Sequence, residues 1–177
     1  MRIISGKNSK RIITPPSNFK ARPTTDFAKE NLFNILANHF DFEDVSVLDL
    51  FSGTGSISYE FCSRGARRVV SVESNAVHHR FIAEMKHKLG YEQLITLKTN
   101  AFVYLKSVHE KFDVIFADPP YELEGIETIP DLVFRADLLA ADGWLIVEHS
   151  AATDFSSHPR FVQIRRYGSV NFSIFQL

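Results

Sequence analysis

Apolar and polar positions change period along this chain in a regular rhythm. From Thr25 to about Phe40 the apolar residues Phe27, Ala28, Leu32, Phe33, Ile35 and Leu36 mark one helical face, with Thr24, Thr25 or Asp26 available as a cap. Val45-Ser46-Val47-Leu48-Asp49-Leu50 is short and nearly continuous in its apolarity, which predicts a buried strand, and Gly53–Arg64 predicts a loop running into a helix. The pattern then repeats. Arg68–Glu73 reads as a strand and Ala76–Leu89 as a helix; Leu94–Leu97 reads as a strand and Phe102–Ser107 as a short helix. Phe112–Ala117 is the fourth strand, about Ile126–Leu139 the next helix, and Gly143–His149 the fifth strand. Strands alternating with helices predict a parallel sheet covered on both faces. The end differs: Phe161–Arg166 and Val170–Phe175 flank Gly168 and predict an antiparallel hairpin, giving seven strands in all. No internal repeat or low-complexity segment interrupts this order.

Upstream of the first helix the chain has another character. Ile3, Ile4, Ile12 and Ile13 surround Gly6 and Asn8 like a short hairpin, and Pro15, Pro16 and Pro23 keep residues 14–23 irregular. Arg2, Lys7, Lys10, Arg11, Lys20 and Arg22 fall in this stretch with no acid, while the rest of the chain holds 14 basic against 21 acidic residues. A basic arm (1–24) on a mildly acidic body (25–177) points to a polyanionic partner reached through the arm. The remaining composition is ordinary for a globular protein, at 45% hydrophobic and 23% charged in 177 residues. No apolar run approaches the roughly 20 residues of a membrane span, and no apolar leader is evident, so the expected compartment is the cytoplasm. Cys62, the single cysteine, excludes an internal disulfide and a cysteine-based zinc site and reads as a buried small residue on a helix. Trp144 reads as core, and His78 and His79 as solvated.

Candidate chemistry gathers at the strand ends. The fourth strand runs into Asp118-Pro119-Pro120-Tyr121. Two prolines stiffen the turn and remove two donors, leaving their carbonyls to face a cleft. Asp118 can accept from an exocyclic amine and Tyr121 can lie on a ring face. These parts suit chemistry on a nucleobase amino group. The first strand leads into Asp49-Leu50-Phe51-Ser52-Gly53-Thr54-Gly55-Ser56, and the second ends in Glu73, where an acid can accept both hydroxyls of a ribose. A dinucleotide loop would carry a third glycine where this chain has Ser58. Asp49 is poorly placed for a pyrophosphate and well placed for an ammonium group, so the pair of acids points to S-adenosylmethionine. After the third strand, Asn100 stands where a polar residue meets the adenine amino group, with Ala101 and Phe102 beside it. Glu148 and His149, at the end of the fifth strand, suit a packing or hydrogen-bonding role. No metal is called for.

With both ends assembled, the chain resembles the class I S-adenosylmethionine-dependent methyltransferases, and more narrowly the RsmD family. The resemblance rests on Met1-Arg2-Ile3-Ile4-Ser5-Gly6, on Arg22-Pro23-Thr24-Thr25-Asp26 with Glu30 and Leu32-Phe33-Asn34, and on Asp49 to Gly55, Val72-Glu73 and Asp118 to Tyr121. It departs from the family at Tyr167-Gly168-Ser169-Val170-Asn171, where a Tyr-Gly-Asp-Thr-like turn is usual. The resemblance implies a Rossmann-like fold and methyl transfer to the 2-amino group of a guanine in small-subunit (16S) ribosomal RNA, free or in the assembling subunit. By residue, it implies Asp118, Pro119 and Tyr121 at the reacting amine. It implies Asp49, Phe51, Gly53, Gly55, Glu73, Asn100, Ala101 and Asp118 at the cofactor. Arg2, Lys7, Lys10, Arg11, Lys20, Arg22 and Thr24 would then face RNA. The catalytic turn alone also suits adenine N6, so a DNA or RNA adenine methyltransferase is the rival within this chemistry, although 177 residues leave little room for a DNA-recognition domain. A non-catalytic RNA-binding or assembly protein on the same fold is the rival of another class, and a nicotinamide oxidoreductase the third.

Overall fold

A computed structural model of the chain describes residues 1–17, 19 and 24–177. Seven strands form one sheet in the order β3-β2-β1-β4-β5-β7-β6. The strands β1 (Ser46–Leu50), β2 (Arg68–Glu73), β3 (Leu94–Lys98), β4 (Phe112–Ala117) and β5 (Leu139–His149) run parallel, and β6 (Phe161–Tyr167) and β7 (Val170–Phe175) close the sheet as an antiparallel hairpin. Helices α1 (Asp26–Ala37), α2 (Ser56–Ser63), α3 (Ala76–Leu89), α4 (Ala101–Ser107) and α5 (Ile129–Arg135) accompany it. The expected α/β architecture, with its C-terminal hairpin, is the one observed. Strand order reverses between β1 and β4, which opens the crevice where open α/β sheets bind ligands.

The period of two along each strand sorts the core into two layers. Val47, Val69, Val114, Phe116, Ile146 and Phe172 pack on one face with Leu32, Phe33 and Leu36 of α1 and Ile82 of α3. Leu48, Val70, Ile115, Leu145 and Phe175 pack on the other with Leu105 of α4 and Val133 of α5. The same alternation carries Asp49, Glu73, Asp118 and Glu148 out on the α1 side, at the carboxyl ends of β1, β2, β4 and β5. Asp49 is two residues beyond Val47, Glu73 four beyond Val69, Asp118 two beyond Phe116, and Glu148 two beyond Ile146. One sheet face thus receives every acid singled out at a strand end.

Two boundaries differ from the sequence expectation. α5 ends at Arg135, and β5 begins already at Leu139. Asp137 and Asp142 adopt left-handed φ values of 53° and 60°, and the β4–β5 register shifts between Phe112 and Val114. Leu138 and Leu139, read as the end of a helical face, instead fill the core beside a bulged strand entry.

The basic arm forms the expected hairpin, with Arg2 bridged to Ile12 and main-chain bonds from Ile3 to Arg11 and from Lys10 to Ile3. It is also packed into the body. Ile3 and Ile13 are buried in the α1-side core, while Glu60 of α2 accepts the Ile4 and Ser5 amides at 2.8 and 3.1 Å. Gly6 has a φ of +82°, and a Cβ there would stand 1.9 Å from the Ser63 carbonyl oxygen, so the hairpin's approach to α2 requires glycine. Among the described residues no helix is long and apolar enough to cross a membrane.

Candidate active site

The loop from β1 to α2 turns on Phe51 and Gly55, both with positive φ (62° and 79°). A Cβ on Gly55 would meet the Tyr59 ring at 2.5 Å, so the loop closes against α2 only with glycine there. The Gly53 amide donates to Glu73 Oε2 at 2.7 Å, and the Asn75 amide donates to Oε1 at 2.7 Å. Each Glu73 oxygen keeps a second lone pair for a hydroxyl donor. Phe51 stands edge-on to Phe102 with ring centroids 6.0 Å apart, joining the β1 loop to the start of α4.

Asp49 is buried, and burial lifts its pKa to about 7, opposed by hydrogen bonds from Ser58 and Ser52. Ser58 Oγ donates to Asp49 Oδ2 at 2.5 Å. Among the described residues no cationic side chain pairs with Asp49, Asp118 or Glu148. Buried carboxylates without a counter-charge are costly, and such a cluster fits a ligand that brings positive charge.

Across the switch point, Asp118 extends β4 and adjoins Glu148 on β5, since Ala117 pairs with Val147. Burial raises the Asp118 pKa well above the usual carboxylate range, and the charges of Glu148 and Asp49 raise it further. Glu148 is lifted to about 7 by burial, against hydrogen bonds from Thr24 and Tyr121. The Thr24 hydroxyl donates to Glu148 Oε2 at 2.9 Å. Tyr121 stands beside Glu148 and Asp118, with half of the residue exposed. Pro119 is buried and Pro120 exposed. The Pro120 carbonyl accepts from the Leu123 amide at 2.8 Å, so the expectation of two free proline carbonyls narrows to that of Pro119.

The structure therefore brings Asp49, Phe51, Gly53, Gly55, Glu73, Ala101, Asp118, Pro119 and Tyr121 to one end of the sheet. Asn100 lies there too, but its side-chain oxygen caps α4 by accepting the Phe102 and Val103 amides at 2.9 and 3.2 Å, which leaves the amide group as a donor toward a ring nitrogen. Lys7, Lys10 and Arg11 are exposed on the arm, and Arg2 pairs with Asp26 at 3.7 Å. Lys20 and Arg22 lie outside the described residues. Thr24, grouped with the RNA-facing residues by sequence, is buried with its hydroxyl on Glu148, in the wall of the candidate site. His78, expected to be solvated, is mostly covered: Phe19 of the arm stacks on it at 4.3 Å, and its Nδ1 is 4.0 Å from Glu73 Oε2. Glu148 has the hydrogen-bonding role expected of it, with Thr24 as the donor, while the sequence reading did not foresee the bond from Ser58 to Asp49 or the cover over His78.

Comparison with known proteins follows this geometry. The family described as Conserved hypothetical protein 95 matches residues 1–176. Ribosomal RNA small subunit methyltransferase D of Escherichia coli K12 is 28% identical, covering 99% of this chain and 89% of its own length. The protein of the same name from Haemophilus influenzae is 30% identical over 84% of this chain and 78% of its own. A solved Thermus structure, hypothetical protein TTHA0928, superposes with a TM-score of 0.88 at 23% identity over 100% of this chain and 99% of that one, which shows the shared fold. The chain belongs to the Conserved hypothetical protein 95 family, which is the RsmD family of rRNA methyltransferases.

Proposed function

We propose that this protein transfers a methyl group from S-adenosylmethionine to the exocyclic N2 amine of a guanine in small-subunit ribosomal RNA. The observation that carries this reading is the row of four carboxylates on one sheet face, in which Asp49, without a paired cation among the described residues, and ribose-competent Glu73 lie across the switch point from Asp118-Pro119-Pro120-Tyr121. The relatives' names supply the RNA class.

The residues present fit the cofactor. Asp49, oriented by Ser58, would hold the ammonium group; Glu73, fixed by two backbone amides, would hold the ribose hydroxyls; Phe51, Ala101 and Phe102 would border the adenine. When bound, S-adenosylmethionine supplies an electrophilic methyl group on a sulfonium.

An exocyclic guanine amine is a weak nucleophile because its lone pair is delocalised into the ring. Asp118 accepting one N–H and the Pro119 carbonyl accepting the other would localise that pair on nitrogen. Both interactions strengthen as positive charge develops there, so they favour the transition state over the ground state. Tyr121, beside Glu148 and Asp118, would lie on the base and fix its approach. The nitrogen loses one proton after transfer, and the adjoining Asp118 and Glu148 carboxylates can receive it. A base within a helix cannot reach this recess, so the target is unpaired or flipped out.

The test is incubation with labelled S-adenosylmethionine and small-subunit RNA or particles, followed by nucleoside analysis. Labelled N2-methylguanosine is the expected product. Labelled N6-methyladenosine would replace guanine with adenine, and no transfer to any RNA would overturn the reading.

A further inference from the structure

We propose that Arg165 and Tyr167 of the C-terminal hairpin, with Phe27 of α1, form a ridge that grips the RNA strand flanking the target nucleotide. This rests on the functional reading above and extends it to substrate contact.

Register places the ridge. Glu148 of β5 pairs with Phe172 of β7, and Phe172 pairs with Arg165 of β6. Directly opposed residues in antiparallel strands project from the same face, so Arg165 continues the row that begins with Asp118 and Glu148. With strands roughly 4.8 Å apart, it stands about 10 Å from Glu148 across the sheet. Tyr167, paired with Val170, lies one pleat closer to the carboxyl ends of the parallel strands on the same face. Its ring packs on Phe172 at 6.1 Å and meets Phe27 edge-on at 6.1 Å. Phe27 is 64% exposed, although a neighbouring position on α1 is fully buried, and Arg165 is exposed. Folding gains little from an aromatic ring left in water in the first turn of a helix.

Arg166, by contrast, pairs with Asn171 and projects from the opposite face, where its charge acts on His149. The two arginines are chain neighbours with equal charge and separate faces.

The chemistry of the ridge selects its partner. An exposed guanidinium on the same face as an exposed Phe27 ring matches single-stranded RNA, whose phosphates it neutralises and whose bases stack on the ring. Glu148, which holds the Thr24 hydroxyl, lies two strands away on the same face, so a strand entering the recess at Asp118 and Glu148 from this side would pass over the ridge. The hairpin thereby acquires a role in holding substrate.

The experiment compares Arg165→Ala with Arg166→Ala. Deproteinised small-subunit rRNA is titrated by filter retention across a salt series, and methyl transfer is measured in parallel. Arg165→Ala should weaken binding several-fold and reduce the log–log salt slope by about 0.7, the value for one phosphate contact on a single strand. Arg166→Ala should leave both unchanged. Phe27→Ala, an exposed position whose loss does not threaten folding, should weaken binding roughly tenfold with no change in slope. Cofactor affinity should match wild type in all three. Equal effects of the two arginine variants, or no effect of Arg165→Ala, would overturn the ridge while wild-type methyl transfer still upholds the parent reading. Absence of transfer by the wild type would remove both.

Discussion

Ser58 donates a 2.5 Å hydrogen bond to the buried carboxylate of Asp49. The position at which a dinucleotide loop would place its third glycine therefore holds the hydroxyl that orients an acid. A glycine at that position permits close helix packing against a pyrophosphate loop; a serine there gives the loop a directed anion suited to an ammonium group.

Replacing Ser58 by Ala should cost cofactor affinity more than stability. Hydrogen bonds to charged groups contribute about 1.5–3 kcal/mol, so binding should weaken roughly ten- to 100-fold by calorimetry. Asp49→Asn should weaken it at least as much. Wild-type affinity in Ser58→Ala would remove Asp49 from the ammonium site.

Cofactor binding should also depend on pH. Asp49 titrates near 7 because burial disfavours its charged form, and only that form attracts a cation. Affinity should rise with pH up to and just beyond 7, and fall up to tenfold for each unit below it. The free protein should show the opposite trend. An acid whose folded pKa exceeds its ordinary 3.8 binds more protons folded than unfolded, so stability declines between about pH 4 and about pH 7. Thermal melts with and without cofactor should therefore diverge as pH rises, and Asp49→Asn should flatten that divergence.

The parallel sheet was legible because its strands are short, mostly apolar runs, and Asp49, Glu73 and Asp118 were legible as the acids at or just beyond their carboxyl ends. Glu148 lies one residue before the end of its strand, yet its partner Thr24 lies 124 residues away, a relation that no local pattern carries. The start of β5 was hidden because Leu138 and Leu139 suit a helix face and a bulged strand equally, and left-handed Asp137 decides between them. Asn100 was placed at the right strand end, but composition could not show that its oxygen is engaged in capping α4.

Glu148→Gln should separate the roles of the two adjoining acids. The charge on Glu148 raises the Asp118 pKa, so neutralising it moves the acid limb of the kcat profile to lower pH. At high pH, kcat should fall roughly ten- to 100-fold if the Glu148 charge helps to orient its neighbour Tyr121. Cofactor affinity should change little. A pH profile identical to wild type would show that Glu148 does not face Asp118 electrostatically.

The arm should detach when its buried anchor is removed. Glu60 accepts the Ile4 and Ser5 amides and the Arg64 guanidinium, and it lies 3.9 Å from buried Lys29. Lys29 Nζ in turn donates to the Arg2 carbonyl at 2.6 Å and to Ser56 Oγ at 3.0 Å, so one ammonium joins the arm to the first turn of α2. Burial lowers the Lys29 pKa, with Glu60 the main opposing charge. Glu60→Ala leaves that cation buried and two amides unpaired, and should cost about 3–5 kcal/mol. Denaturant unfolding would measure the loss, and limited proteolysis near Lys7, Lys10 and Arg11 would show whether the hairpin separates before the body unfolds. Cleavage at wild-type rates in a destabilised variant would mean that Ile3 and Ile13 hold the arm without the polar anchor.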